Sequence, residues 1–194
     1  MMAFDRDYYQ RFYFNPRTAV TCKVEMGSRA RLIVGCLGYL GLPVGSILDA
    51  GCGVGLLRAP LLRAFKDADY TGLEVSEYLC QRYGWRRGSV EKFRTRRRFD
   101  LVICYDVLQY LPDVSARRAI ANLGRLCRGA LYFGALTRED WRDNCDRSRT
   151  DRVSGLRAGS WYRRELSRAF RPIGCGVWLK KELPLTIWNL DAAA

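Results

Sequence analysis

The chain has 194 residues, of which 48% are hydrophobic and 12% aromatic, so we expect one folded domain with a sizeable core rather than a disordered chain. A formal net charge of +13 favours anionic partners, and the absence of histidine excludes imidazole as an acid or base near neutral pH. Eight cysteines without a CxxC pair predict no metal site, and the absence of a signal-peptide pattern favours reduced thiols and a cytoplasmic location.

Residues 1–42 are predicted to form an N-terminal helical lid. The segment "DYYQRFYFNPRT" concentrates aromatic side chains, of which Tyr9 and Tyr13 share a helical face and are expected to point towards a site. Anchoring of the helix to the core explains these aromatics equally well. The uncharged span Leu32–Leu48 contains four glycines and a proline, and it is shorter than the ~20 residues of a membrane-spanning helix. It predicts a helix end, a loop and a strand start, with no membrane partner.

Short apolar strands then alternate with amphipathic helices, which predicts an α/β fold with a mostly parallel sheet. One helix is expected to begin near Asp113 or Ser115, either of which could cap it, and to end at Gly129. The strands predicted from continuous apolar runs are Ile47–Ala50, Tyr70–Val75, Leu101–Tyr105 and Ala130–Ala135.

The C-terminal segment departs from this alternation. A helix around Tyr162–Phe170 is followed by two strand-like runs, "IGCGVWLKK" and "LTIWNL", with only Glu182–Pro184 between them. Parallel strands need a long crossover, whereas antiparallel strands need only a hairpin. The last strand is therefore predicted to run against the rest of the sheet.

The stretch "ILDAGCGVGLL" reads as a strand, a glycine turn and a helix start. Glycines at 51, 53 and 55 let the backbone approach a ligand, and free N–H groups at a helix start favour an anionic group. Asp49 can hold the loop or accept from a ligand amine, and Glu74 at the end of the next strand can accept ribose hydroxyls. These features suit a dinucleotide or S-adenosylmethionine, but the dinucleotide pattern GxGxxG has its third glycine one position later.

Four segments together resemble the class I S-adenosylmethionine-dependent methyltransferases: "LDAGCGVG", "YTGLEVS", "GSVEKF" and "CYDVLQYLPD". The resemblance covers roughly residues 45–137 by motif. It implies a Rossmann-like three-layer sandwich whose seven-stranded, mostly parallel sheet ends in an antiparallel strand. A single domain over 1–194, with residues 45–194 as the nucleotide-binding core and S-adenosylmethionine as cofactor, is the corresponding expectation.

The resemblance also implies a cofactor site. Gly51 and its neighbours would meet the methionine part, Glu74 the ribose and Val75 the adenine. Ser89 stands where many members have aspartate, and Gln109 and Tyr110 stand where many have histidine or glutamate. The full set of cofactor-binding candidates is Asp49, Ala50, Gly51, Cys52, Gly53, Glu74, Val75, Ser76, Ser89, Val90, Tyr105, Asp106, Val107 and Tyr9.

Methyl transfer from a sulfonium is an in-line displacement that requires alignment and exclusion of water, and no metal. A small-molecule acceptor is the default, because the chain shows no additional substrate domain. The candidates for catalytic roles are Tyr13 in the lid and Asp143 and Asp146 in the acidic segment "EDWRDNCDRSRTD", which could equally form surface ion pairs with neighbouring arginines.

Two alternatives stay open at this point. The arginine run Arg94–Arg98 could bind RNA, either in an RNA methyltransferase or in a non-catalytic methyltransferase-like module, although an arginine-rich solvated surface explains it as well. An NAD-dependent oxidoreductase is disfavoured by the glycine spacing and by the predicted final hairpin.

Overall fold

One seven-stranded sheet organises the described residues, which are 4–147, 149–150 and 155–188 of a computed structural model. In chain order the strands are β1 Ser46–Ala50, β2 Asp69–Glu74, β3 Arg86–Arg87, β4 Phe99–Tyr105, β5 Cys127–Gly134, β6 Phe170–Gly174 and β7 Val177–Lys180. Their order across the sheet is β3-β2-β1-β4-β5-β7-β6. The first five strands are parallel, whereas β7 is antiparallel to both β5 and β6, so the predicted fold class is confirmed.

Helices cover both faces of this sheet. They are α1 Arg6–Tyr9, α2 Lys23–Tyr39, α3 Arg58–Ala64, α4 Glu77–Tyr83, α5 Asp113–Leu126, α6 Arg138–Asp143 and α7 Gly159–Leu166. A π-helical turn, Gln10–Phe14, extends α1, and a 3-10 turn, Leu108–Tyr110, follows β4.

Alternating side chains of the central strands fill two separate cores. In β4, Val102 and Cys104 join the core under α5 and α7, whereas Leu101 and Ile103 join the core under α2 and α3. Successive residues of a strand point to opposite faces, so a continuous apolar run is what a sheet covered on both faces requires. The three-layer arrangement places the loops after β1, β2 and β4 at one edge of the sheet, where ligands bind in such folds.

Helix α2 belongs to the core rather than to a lid. Its buried residues Met26, Ala30, Ile33 and Leu37 pack against the sheet together with α3. The part of the predicted lid that lies over the sheet edge is therefore α1 with its π-helical turn. The uncharged span divides as predicted into a helix end, a loop and β1, and among the described residues no helix is both long and apolar enough to cross a membrane.

The predicted start of α5 near Asp113 is confirmed, but its predicted end and its predicted cap are wrong. Helix α5 runs directly into β5 at Cys127, so Gly129 lies within the strand, where an added Cβ would come within 2.3 Å of the Asp100 carbonyl oxygen. The cap of α5 is also different, because Pro112 precedes the helix and no side chain caps it.

The C-terminal hairpin is displaced towards the N-terminus from its predicted position. Its turn is the Gly174–Cys175–Gly176 segment inside the first predicted run, with φ of 130°, 48° and 83°. The second predicted run is not a strand over residues 185–188, and residues 189–190 lie outside the described part. Its apolar side chains Leu185 and Ile187 pack instead on the α2 side of the core.

Candidate functional site

A cleft lies at the carboxyl ends of β1, β2 and β4, and it consists of two adjoining cavities. The inner one, of about 100 Å³, is lined by Phe4, Tyr8, Tyr9, Tyr13, Gly51, Gly53, Glu74, Val75, Gly88, Ser89, Val90, Asp106, Val107, Tyr110 and Leu111. The second, of about 190 Å³, shares six of those residues and adds among others Asp49, Cys52, Tyr105 and Gln109. Most of the cofactor-binding residues expected from the sequence therefore line one continuous space.

The N–H groups of the glycine loop are already engaged within the protein. Those of Gly51 and Cys52 donate to the Leu73 carbonyl oxygen at 2.7 and 3.1 Å, and that of Gly55 donates to the Cys52 carbonyl oxygen at 2.9 Å. The Gly53 N–H donates to Glu74 Oε2 at 2.9 Å. Helix α3 begins only at Arg58. The expectation of free N–H groups for an anionic ligand is therefore wrong for these four residues.

Two side chains fix the shape of the loop. Val107 lies so close to Gly51 that an added Cβ would be 2.3 Å from Val107 Cγ2. Trp85 fills a slot between Gly55 and Gly72, where added Cβ atoms would be 2.6 Å from its ring, and its indole N–H donates to the Gly53 carbonyl oxygen at 2.9 Å. Trp85 is a positioning residue that sequence reasoning missed, because only the fold brings it to the loop.

Glu74 is buried beside the loop and holds it in place. Its Oε1 accepts from the N–H groups of Val75 and Ser76 at 2.8 and 3.0 Å, and its Oε2 accepts from Gly53. A carboxylate has about four acceptor positions, so three backbone donors leave one for a ligand hydroxyl on Oε2. The structure thus adds a loop-ordering role to the predicted ribose-binding role.

We expect Glu74→Ala to weaken binding of S-adenosylhomocysteine by roughly tenfold or more, since hydrogen bonds to charged groups contribute about 1.5–3 kcal/mol each. Calorimetric titration measures the affinity, and a thermal melt reports the cost of releasing the three N–H groups. Glu77→Ala is the matched control, because Glu77 is an exposed glutamate on α4 that pairs with Arg87. An unchanged affinity in Glu74→Ala, or an equal loss in the control, would exclude the ribose assignment.

Asp49 is a buried carboxylate at the end of β1, 4% exposed, and the Tyr70 hydroxyl donates to it. Burial raises the pKa of Asp49 to about 7, although the hydrogen bond from Tyr70 opposes the shift and the charge of Glu74 adds to it. A cationic ligand group beside this carboxylate would favour its ionised form.

The far end of the inner cavity offers an apolar wall and backbone groups. Val75 is 47% exposed although apolar, and it lines the cavity. Ser76 caps α4 and donates from its hydroxyl to the Phe4 carbonyl oxygen at 2.6 Å. Ser89 Oγ accepts from the Lys92 N–H at 3.3 Å, and the buried Val90 carbonyl oxygen accepts from Asn122 at 2.6 Å.

Aromatic rings of the N-terminal segment cover the cleft. Tyr9 is buried, and its pKa lies well above the usual range because of burial and the charge of Glu74. Tyr13 lines both cavities, and so does Tyr8, which sequence reasoning missed. The ring centroids of Tyr8 and Tyr13 are 6.3 Å apart, and those of the predicted pair Tyr9 and Tyr13 are 5.3 Å apart. Phe4 closes the cover by an edge contact of 5.3 Å with Tyr110.

The side of the cleft after β4 carries Tyr105 and Asp106. The Tyr105 ring faces the Arg29 guanidinium at 4.3 Å and stacks on Tyr132 at 6.0 Å. Asp106 is accessible from the cleft, yet the surrounding protein atoms desolvate it and raise its pKa to about 6, against the opposing effect of Arg29.

Comparison with known proteins indicates which kind of domain contains this cleft. Residues 48–129 match the family model of a methyltransferase domain. The ubiquinone biosynthesis O-methyltransferase of Alkalilimnicola ehrlichii is 31% identical over 125 residues, which are 57% of this chain and 48% of that protein. The corresponding protein of Aromatoleum aromaticum is 28% identical over 113 residues, which are 50% of this chain and 47% of that protein. Residues 48–129 therefore match a methyltransferase domain, and the chain resembles the class I S-adenosylmethionine-dependent methyltransferases.

Solved structures of this class share the fold over most of the chain. Magnesium protoporphyrin IX methyltransferase from Synechocystis, solved with S-adenosylmethionine bound, has a TM-score of 0.62 at 21% identity and covers 90% of each chain. A sugar N-methyltransferase from a Streptoalloteichus species has a TM-score of 0.69 at 15% identity, covering 94% of this chain and 95% of that one. Our chain spans about half the length of the curated relatives it matches.

An open groove leads from the cleft to the surface. It has a volume of about 710 Å³ and is lined by Pro16, Ala19, Val20, Thr21, Cys22, Glu25, Arg29, Tyr105, Asp106, Gly134, Ala135, Leu136, Asp140, Asn144, Cys145, Asp146, Arg149 and Thr150. Asp146, one of the catalytic candidates, therefore lies in the outer groove rather than at the inner cavities.

The structure does not bring Asp143 to the cleft. It is exposed at the end of α6, where it accepts from the adjacent Arg142 Nε and Nη2 at 2.7 and 2.8 Å, and it lines none of the three cavities described above. The surface ion pair considered as its alternative is what the structure shows. Residues 148 and 151–154 of the acidic segment lie outside the described part.

Proposed function

We propose that this protein transfers a methyl group from S-adenosylmethionine to a small-molecule acceptor. The observation that carries the proposal is the chemistry of the glycine loop. The N–H groups of Gly51, Cys52, Gly53 and Gly55 are engaged within the protein, and carboxylates and tyrosine rings line the cleft. A pyrophosphate needs N–H donors, whereas an ammonium and a sulfonium need oxygen acceptors and aromatic faces.

The residues of the cleft fit such a cofactor. Asp49 and the loop carbonyls would hold the methionine ammonium, Glu74 a ribose hydroxyl, and Val75, Ser89 and Val90 the adenine. When bound, S-adenosylmethionine supplies a methyl group activated by a positive sulfur. Tyr8, Tyr13 and Tyr105 would border that group, and residues 4–14 would exclude water from it, which is the main contribution a protein makes to an in-line displacement.

A cytoplasmic location is part of the proposal. All eight cysteines are free thiols, and Cys52, Cys104 and Cys127 are buried. Unpaired thiols in this number are typical of a reducing compartment.

The basic surface does not favour RNA as the acceptor, because two arginines of the Arg94–Arg98 run are engaged within the protein. Arg94 donates to the carbonyl oxygens of Glu91 and Phe93 and to Asn122 Oδ1, at 3.1–3.2 Å. Arg97 pairs with Asp69 at 2.8 Å.

Calorimetric titration with S-adenosylhomocysteine, with NADH as a parallel control, tests the proposal. We expect saturable binding of the first ligand alone, with a Kd on the order of micromolar. Binding of NADH instead, or of neither ligand, would contradict the proposed function.

A further inference from the structure

Gln109 is a buried amide in the cleft with an unused acceptor. Its side chain is 3% exposed, and its Oε1 has no hydrogen-bond partner among the described residues. Its Nε2 lies 3.5 Å from Asp106 Oδ1, which is a long contact between a donor and a carboxylate. Rotating the amide by half a turn would place two acceptors against each other while Asp106 is ionised. Oε1 itself has almost no accessible surface, and Gln109 lines the adjoining cavity, so a change of its side-chain rotamer would bring Oε1 to a ligand there.

Asp106 lies beside Gln109 at the junction of the three cavities. It lines the inner cavity, the adjoining cavity and the outer groove. Its backbone has φ 55°, in the left-handed region that non-glycine residues seldom adopt. Backbone strain of this kind concentrates at functional sites, where the surrounding structure maintains it. The Asp106 N–H donates to the Gly134 carbonyl oxygen at 2.9 Å, which fixes the carboxylate at this junction.

Carboxylates and arginines both line the approach from the surface. Glu25, Asp140 and Asp146 line the outer groove. Within that groove Arg29 pairs with Glu25 and faces the Tyr105 ring. Arg149 donates to the Ala19 carbonyl oxygen, and Asp140 accepts from Thr137 and Asn144. A buried amide oxygen and a carboxylate side by side suit a group with several N–H hydrogens, whereas a hydroxyl offers only one.

We propose that the methyl acceptor is a primary amine on a small polar molecule, held by Gln109 Oε1 and the Asp106 carboxylate. This inference rests on the proposed function, because it assigns the acceptor of the same site. Gln109 and Asp106 would each accept one N–H, which points the nitrogen lone pair away from them and into the cavity that Tyr13 and Tyr105 line.

The proton and electron balance of this reaction needs no further reagent. An alkylammonium gives one proton to the Asp106 carboxylate and becomes the neutral amine. The amine lone pair then forms the N–C bond, while the electrons of the broken S–C bond remain on sulfur. The product is a methylated ammonium, and the proton on Asp106 leaves to water through the outer groove. The chain has no histidine, so the proton acceptor in this step is the Asp106 carboxylate.

The inference is tested directly with pairs of acceptors that share a carbon skeleton and differ in carrying an amine or a hydroxyl group. The pairs are benzylamine and benzyl alcohol, tyramine and 4-hydroxyphenethyl alcohol, and glucosamine and glucose, each assayed for S-adenosylhomocysteine formation. We expect turnover of at least one amine, with none of its hydroxyl partner, and methylation of tyramine at nitrogen. Methylation of a hydroxyl partner, or of the tyramine phenol, would overturn the proposal.

Binding is measured independently of turnover on protein saturated with S-adenosylhomocysteine. The side-chain amide resonance of Gln109, identified by its loss in Gln109→Leu, should shift on titration with each reactive amine. Absence of any shift with all three amines would overturn the proposal even if no acceptor were turned over. Failure of S-adenosylhomocysteine itself to bind would instead overturn the proposed function, so the two failures are distinguishable.

Substitutions test whether Gln109 contributes to amine turnover independently of any contribution to the stability of the fold. Gln109→Leu should keep the affinity for S-adenosylhomocysteine within about twofold and lower turnover of the reactive amine by at least roughly tenfold. Its thermal stability should be unchanged or higher, because an unsatisfied buried amide oxygen is removed. Gln81→Leu is the control, since Gln81 is exposed on α4, where its side-chain amide donates a hydrogen bond to Glu77 Oε1 at 3.4 Å. Full amine turnover in Gln109→Leu would contradict the assignment.

Discussion

The Gly51→Val variant should lose measurable binding of S-adenosylhomocysteine, with an affinity at least roughly a hundredfold lower than that of the parent protein. Gly51 has φ 84°, and a Cβ at this position would stand 2.3 Å from Val107 Cγ2. The added side chain must therefore displace either Val107, which lines the inner cavity, or the loop that borders it. Both movements change the space into which the cofactor would bind. Calorimetric titration measures the loss.

Backbone strain alone could mimic this result, so a second glycine supplies the control. Gly41 has φ 65°, but a Cβ there would meet nothing within 4 Å, and Gly41 lies in the loop between α2 and β1. Gly41→Ala and Gly51→Ala both introduce a side chain in the left-handed region, at a cost of about 1–2 kcal/mol. Only Gly51→Ala should lose affinity. Equal affinities in the two variants would refute the argument that position 51 requires glycine because its backbone closely approaches the ligand.

The sequence predicted the parts of the molecule that depend on local pattern. Apolar runs such as "LVICY" indicated strands covered on both faces, and alternating residues of β4 do enter two different cores. The short spacing near the C-terminus indicated a reversed strand. The turn was misplaced because the glycines around Cys175 were read as part of a strand, although two glycines one residue apart are a turn signal.

Contacts between distant segments could not be predicted in this way. Trp85 reaches the glycine loop only because β2 and β3 are adjacent, and the pattern around it carries no sign of that contact. Tyr9 and Tyr13 share a face as the helical spacing predicted, with ring centroids 5.3 Å apart, whereas the position of Tyr8 beside both cavities depends on how the whole segment packs. The unpartnered Oε1 of Gln109 is visible only once its surroundings are known.

Arg157 should be among the most sensitive positions for stability. Its side chain is 5% exposed and donates to Asp113 Oδ1 at 2.8 Å, to the Leu108 and Gly155 carbonyl oxygens at 2.9 and 3.0 Å, and also to the Leu111 carbonyl oxygen. The planar guanidinium thereby ties the segment after β4 to the loop before α7. That segment contains Gln109, so Arg157 is a positioning residue for the cleft.

We expect Arg157→Met to lower the free energy of unfolding by about 3–5 kcal/mol, as measured by urea titration, because each buried acceptor that loses its donor costs about 1–3 kcal/mol. Methionine retains much of the apolar volume but removes the guanidinium donor from the carbonyl oxygens of Leu111 and Gly155, and leaves that of Leu108 with the Leu111 N–H at 3.2 Å. Arg157→Lys should recover only part of the loss, because an ammonium has three donors and no planar fork. Arg118→Met is the control, since Arg118 is 69% exposed and pairs with Glu91 at 3.4 Å on the surface. Its unfolding midpoint should remain close to that of the parent protein.

A positioning role and a purely structural role of Arg157 predict different behaviour below the unfolding transition. If the guanidinium orders the segment that carries Gln109, then Arg157→Lys should impair acceptor turnover more than S-adenosylhomocysteine affinity at a temperature where it is fully folded. The loop of Gly51 and the carboxylate of Glu74 do not contact Arg157, so the cofactor side of the cleft would be preserved. Equal losses of turnover and affinity would mean that the variant loosens the whole sheet edge, and full turnover would mean that the other contacts of the segment suffice.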